Sequence, residues 1–127
     1  MAFVTIIAML ALVQYLAFGL LVGRARGKYG VEAPATTGHP EFERYFRAHY
    51  NTLEQLIVFL PALFAAGYFL DARVAVASGA VFLIGRSLYF RTYVKDPGTR
   101  GPGMMLTFLA NLVLIVSALV GAVRAAI

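Results

Sequence analysis

Apolar residues run almost unbroken through four stretches of the chain, and most of the charged residues crowd between them. Phe3 to Gly23 is apolar except for Thr5 and Gln14. About 20 residues at ~1.5 Å per residue cross a hydrocarbon core of ~30 Å, so the pattern predicts a spanning helix over 3–23. Arg24 to Pro40 (RARGKYGVEAPATTGHP) is rich in Gly, Pro and Thr, and there the helical pattern is expected to stop. A second helix is expected over 41–70, with Pro40 just before it and Glu41 and Glu43 in its first turn, all suited to a helix start. Pro61 lies within it and is expected to kink it. The short turn Asp71-Ala72-Arg73 makes the third helix, over 74–94, its antiparallel neighbour. Ala75, Ala77, Ser78, Gly79 and Ala80 allow that helix close approach to others. Lys95 to Gly103 (KDPGTRGPG) reads as a turn, and a fourth helix over 104–123 is apolar apart from Thr107, Asn111 and Ser117. The expected fold is all-α, an integral membrane four-helix bundle forming one domain over 1–127.

Composition sharpens this reading. The chain is 61% hydrophobic and 13% charged, where soluble domains average about 45–50% and about 25%. With no cysteine there is no disulfide, no thiol nucleophile and no thiolate metal site, so any sulfur chemistry must use a sulfur that a ligand brings. His39 and His49 are not at metal-ligand spacing, and no metal is expected. The net charge of +5 does not indicate nucleic acid, because nine of the eleven basic residues lie in or beside two inter-helix connections. That clustering orients a membrane protein. It places both connections on the cytoplasmic side and both termini on the opposite side.

Polar residues inside the spans carry the candidate chemistry. Arg44, Arg47, Asn51 and Glu54 are three, four and three apart, which sets them within roughly 80° on one helix face. Charged groups entering a membrane-length helix are costly in lipid and face protein, a wet cavity or a polar ligand. The third helix presents Arg86, Tyr89 and Tyr93 at similar spacing, and the last connection supplies Arg100. Guanidinium forks suit carboxylates and a lone Glu suits an ammonium, so the set describes a pocket for a small zwitterion with several carboxylates. The alternative is that Glu54 pairs with Arg47 or Arg86 to hold the bundle together. Gln14 is expected to hydrogen-bond to a neighbouring helix, and His49 to act as an interface or headgroup contact.

The segment TTGHPEFERYFRAHYNTLEQLIVFLP resembles the MAPEG family, the membrane-associated proteins of eicosanoid and glutathione metabolism. Its most specific pattern is E-x-x-x-R-A-x-x-N-x-x-E before an apolar, Pro-containing run, here Glu43, Arg47, Ala48, Asn51 and Glu54. GRSLYFRTY is similar to the family's second motif, an Arg followed by aromatics, and the likeness covers nearly the whole chain. The resemblance implies a homotrimer with glutathione, the co-substrate, bound between adjacent copies near the cytoplasmic face. By position it implies glutathione contacts from Arg26, Arg47, Asn51, Glu54, Arg86, Tyr89 and Tyr93. It implies that Arg100 is the catalytic group, stabilising the glutathione thiolate.

The chain departs from the family at three places. Gly27 stands in the second place of an arginine pair. Gln55 replaces a tyrosine, and Gly101 follows Arg100 where prostaglandin-forming members have serine. The expected function is a membrane-bound glutathione transferase acting on lipophilic electrophiles, with reduction of lipid hydroperoxides open to the same thiolate. Its partners are then glutathione, the lipophilic co-substrate, membrane lipids and further copies of the chain. A non-catalytic lipid-binding member of the same family is the alternative. A small transporter fits less well, because the first and fourth helices have no ionisable residue before their ends.

Overall fold

Helix ends in this chain fall on residues that satisfy free backbone groups or tolerate unusual dihedrals. The computed structural model describes residues 1–127 and contains four long helices and no strand: α1 (Ala2–Tyr29), α2 (Pro40–Phe69), α3 (Ala72–Lys95) and α4 (Gly101–Ala126). A single turn of tighter helix, Pro97–Thr99, precedes α4. His39 caps α2, its Nδ1 accepting from the Glu41 N–H at 3.2 Å, with Pro40 as the first helical residue. Asp71 caps α3 by accepting from the Arg73 N–H at 2.7 Å, which leaves only Leu70 and Asp71 between α2 and α3. α2 continues through Pro61 without interruption.

The first helix does not stop at Gly23, as the apolar pattern suggested, but runs to Tyr29. The apolar run ends there, but helix propensity does not, since Arg, Ala and Lys are good helix formers. The true stop is Gly30, at φ 67°, a left-handed conformation that glycine adopts without a Cβ penalty. Arg24, Arg26 and Lys28 therefore lie on the last turns of α1, where Val22 and Ala25 pack with Val31 and Phe42. The fourth helix likewise begins at Gly101 rather than Met104, with Pro102 in its first turn.

α1 and α4 each pack on both members of the α2–α3 hairpin. The main core joins Val4, Ile7, Phe59, Leu63, Phe82 and Leu114, with Phe59 and Phe82 stacked at 3.7 Å. A smaller cluster of Phe18, Ala48, Tyr89 and Phe90 lies toward the end that bears the two long connections. Small residues set the helix spacing: a Cβ on Gly79 would lie 2.4 Å from Cγ2 of Ile7 on α1. Gln14 of α1 donates to the Leu83 carbonyl at 2.9 Å and to Ser87 at 2.8 Å on α3, the interhelical role expected of it. His49 stacks on Tyr15 at 4.3 Å, between α2 and α1.

Much of the outer surface of the four helices is apolar. Phe3, Leu20, Ile57 and Leu119 are each more than 60% exposed, at 73%, 77%, 68% and 63%. A contiguous apolar exterior of this kind is unfavourable in water and favourable in lipid. All four helices are long and apolar enough to cross a bilayer, as a multi-pass membrane protein requires.

Candidate functional site

The α2 stripe turns a polar edge toward α3 and the start of α4. Arg47, Asn51 and Glu54 line a hollow of about 330 Å³, together with Tyr89 and Tyr93 of α3 and Arg100 at the head of α4. Tyr50 and Met104 complete its wall. Tyr50 lies outside the set expected from the sequence, although its place three after Arg47 and four before Glu54 puts it on the same helical face.

Three local devices shape the walls. Asn51 donates to the Glu54 carboxylate at 3.1 Å, one turn along α2. Tyr89 and Tyr93 stack at 5.5 Å, one turn apart on α3. Arg100 is the N-cap residue of α4 and donates to the Pro97 carbonyl at 2.8 Å, so the compact turn before α4 anchors its guanidinium. The positive end of the α4 dipole reinforces Arg100 there.

Charge pairing separates the two readings of these residues. Arg73–Asp71 is the only ion pair in the chain, and it lies at the other end of the bundle. Glu54 forms no ion pair with Arg47 or Arg86, so the bridge that would have made these residues purely structural is not formed. Two cations and one anion are left facing one small volume.

The remaining expected site residues fall elsewhere. Arg44 donates to the Lys95 carbonyl at 3.2 Å, tying α2 to the end of α3, and does not line the hollow. Arg26 donates to the carbonyls of Ala35 at 2.6 Å and Val31 at 3.3 Å and covers the Phe42 ring at 4.7 Å. Within one chain it holds the α1–α2 connection and is not brought to the hollow. Arg86 is fully buried, lies 4.2 Å over the Tyr89 ring and donates to Thr52 Oγ1 at 2.8 Å. It supports the hollow from behind and reaches the wall of a second cavity.

That second cavity, of about 570 Å³, is mainly apolar, with Met104, Met105 and Phe108 in its wall. Arg100 and Met104 belong to both spaces. Met105 and Phe108 are also 57% and 58% exposed on the apolar outer face, so the cavity has a lipid-facing flank. The arrangement can hold a polar, charged molecule on one side of Arg100 and a lipophilic one on the other.

Known proteins share this chain's pattern over nearly its full length. A family model described as the MAPEG family matches residues 4–120. Human microsomal glutathione S-transferase 2 is 40% identical over 111 residues, covering 86% of this chain and 76% of the relative. Leukotriene C4 synthase of Rattus norvegicus is 36% identical over 118 residues, covering 87% and 79%. An uncharacterized protein of Synechocystis sp. is 46% identical over 114 residues, covering 90% and 83%. With a family model matched from the first helix to the last, and these relatives aligned over most of their own lengths, the chain belongs to the MAPEG family.

Proposed function

We propose that this protein is a membrane-bound glutathione transferase that joins the glutathione sulfur to lipophilic electrophiles. The observation that carries this reading is the position of Arg100, in the shared wall of the polar hollow and the apolar cavity. The names of the human and rat relatives, a glutathione transferase and a leukotriene synthase, support it. Glutathione carries carboxylates and an ammonium, complementary in sign to Arg47 and Glu54, and a sulfur that Arg100 can face. Asn51, Tyr50, Tyr89 and Tyr93 add neutral hydrogen-bonding groups.

The chemistry follows from the guanidinium. A free thiol has a pKa of ~8.5, and a neighbouring cation lowers it, raising the thiolate fraction at neutral pH. The thiol proton leaves to water. The thiolate then forms a C–S bond while the electrophile's leaving group, or its π electrons, takes up the negative charge. On a lipid hydroperoxide the same thiolate attacks the terminal peroxide oxygen, forming an S–O bond as the O–O bond breaks. The lipid leaves as its alcohol, and a second glutathione thiol displaces water from the resulting sulfenic acid to give the disulfide. The lipophilic partner enters from the bilayer past Met105 and Phe108, and glutathione enters from the aqueous side. The basic connections support placing that side in the cytoplasm. In a homotrimer with sites between copies, Arg26 of one chain would complete the hollow of the next.

Calorimetry on the detergent-purified protein tests the reading. Glutathione is expected to bind the wild type, and Arg47→Ala to weaken binding by at least tenfold, the loss of one charge-assisted contact. Folded wild type that binds lipid but not glutathione would instead support a lipid-binding role.

A further inference from the structure

Arg86 is the most unusual polar group in the molecule. Its side chain is 0% exposed, its Nη2 is used on Thr52, and its Nε and Nη1 have no hydrogen-bond partner. No carboxylate pairs with it. A buried charged donor left unsatisfied is costly, and a cation without a counter-charge more so. Tyr89 offers only its ring face, at 4.2 Å. Thr52 does not depend on Arg86, since its hydroxyl also donates to the Ala48 carbonyl at 2.9 Å.

The surroundings indicate what the free donors suit. Arg86 does not line the hollow of Arg47 and Glu54; it lines the apolar cavity on the other side of Arg100, beside Gln55. Gln55 is itself anchored, accepting from Asn111 Nδ2 of α4 at 3.1 Å. Met104 and Met105 give this wall unbranched, adaptable side chains that a ligand can displace at low cost. A preorganised cation in a water-poor site is most effective where negative charge develops during the reaction.

We infer that Arg86 is an oxyanion-stabilising catalytic residue rather than a glutathione ligand, and that it selects electrophiles whose oxygen becomes negative on attack, in particular conjugated carbonyl compounds with an alkyl chain. This rests on the reading of the neighbouring hollow as the glutathione site. The thiolate beside Arg100 adds to the β-carbon and forms the C–S bond. The C=C π electrons move to make the enolate, whose oxygen accepts from Arg86. Water then protonates the α-carbon, replacing the proton first lost by the thiol, so that glutathione and the enal combine into one adduct with no other reactant. The alkyl chain lies along Met105 and Phe108 toward lipid.

The experiment compares kcat/KM for a straight-chain conjugated enal with that for the alkyl iodide of equal chain length, whose attack expels iodide and charges no oxygen. In Arg86→Met, of similar shape and apolar, the enal-to-iodide ratio is expected to fall at least tenfold. Arg86→Lys, which keeps the cation, is expected to restore part of it. A structural role would lower both substrates together, and an unchanged ratio in both variants overturns the inference. Loss of calorimetric glutathione binding in both folded variants would also overturn it, by making Arg86 a glutathione ligand. Wild type that binds glutathione but conjugates neither electrophile defeats the transferase reading, and this inference with it.

Discussion

Arg100→Ala is expected to cut conjugation at pH 7 on the order of 10–100-fold, the change that a rise of one to two units in the bound thiol's pKa produces. Arg100 heads α4 with its guanidinium anchored on Pro97, in the wall between the two cavities. Glutathione affinity should fall far less, because Arg47 and Glu54 remain to hold the ends of the tripeptide. The pH dependence has a definite sign. A cation lowers the thiol pKa, so the wild type reaches its plateau at lower pH. The variant keeps gaining activity as pH rises toward the free-thiol value of ~8.5, and its deficit shrinks over that interval. Ultraviolet absorbance of the bound thiolate and a pH–rate profile measure both effects. A variant with wild-type thiolate absorbance and turnover would remove Arg100 from the mechanism.

Gly103→Ala should have a large structural effect that reaches the hollow. A Cβ at Gly103 would lie 2.4 Å from the Tyr89 backbone nitrogen and 2.6 Å from its Cα, so α4 must move away from α3 where Tyr89 lines the hollow. Ala is favoured over Gly in a helix by only about 1 kcal/mol, whereas overpacking costs about 1–3 kcal/mol, and here the obstacle is backbone that cannot change rotamer. The expected result is a net loss of stability together with weaker glutathione binding. Gly121→Ala is the matched control. Its Cβ would lie 2.4 Å from the Phe69 carbonyl oxygen, a similar backbone clash at the other end of the bundle. It should destabilise comparably while leaving glutathione affinity near wild type. Equal loss of binding in both variants, read by calorimetry beside thermal unfolding, would show general loosening rather than displacement of Tyr89.

Much of the candidate site is local and therefore legible. Arg47, Asn51 and Glu54 share a face because of helical period, as do Arg86, Tyr89 and Tyr93, and that geometry needs only a single helix. Tyr50 was equally available from the spacing. Arg44 shows the limit: it belongs to the same stripe, but it lies near the α2 N-terminus, level with the end of α3, and is used on Lys95. Which stripe member meets a cavity depends on where the neighbouring helix ends.

The sequence makes four spans and one charged end legible, because apolar runs, charge clusters and helical periodicity act over a few residues, although helix continues through Arg24–Tyr29, Ala72–Arg73 and Gly101–Gly103 where turns were expected. It also carried the family's pattern across nearly the whole chain. Packing of the bundle is what leaves Glu54 without an ion pair to Arg47 or Arg86, keeps Arg26 with its own connection and sets Arg86 in the wall of a different space from Arg47. Those outcomes depend on the rotation and depth of each helix against its neighbours. Contacts such as Gly103 on Tyr89 and Gly79 on Ile7 set these, between residues far apart in the chain that no local pattern relates.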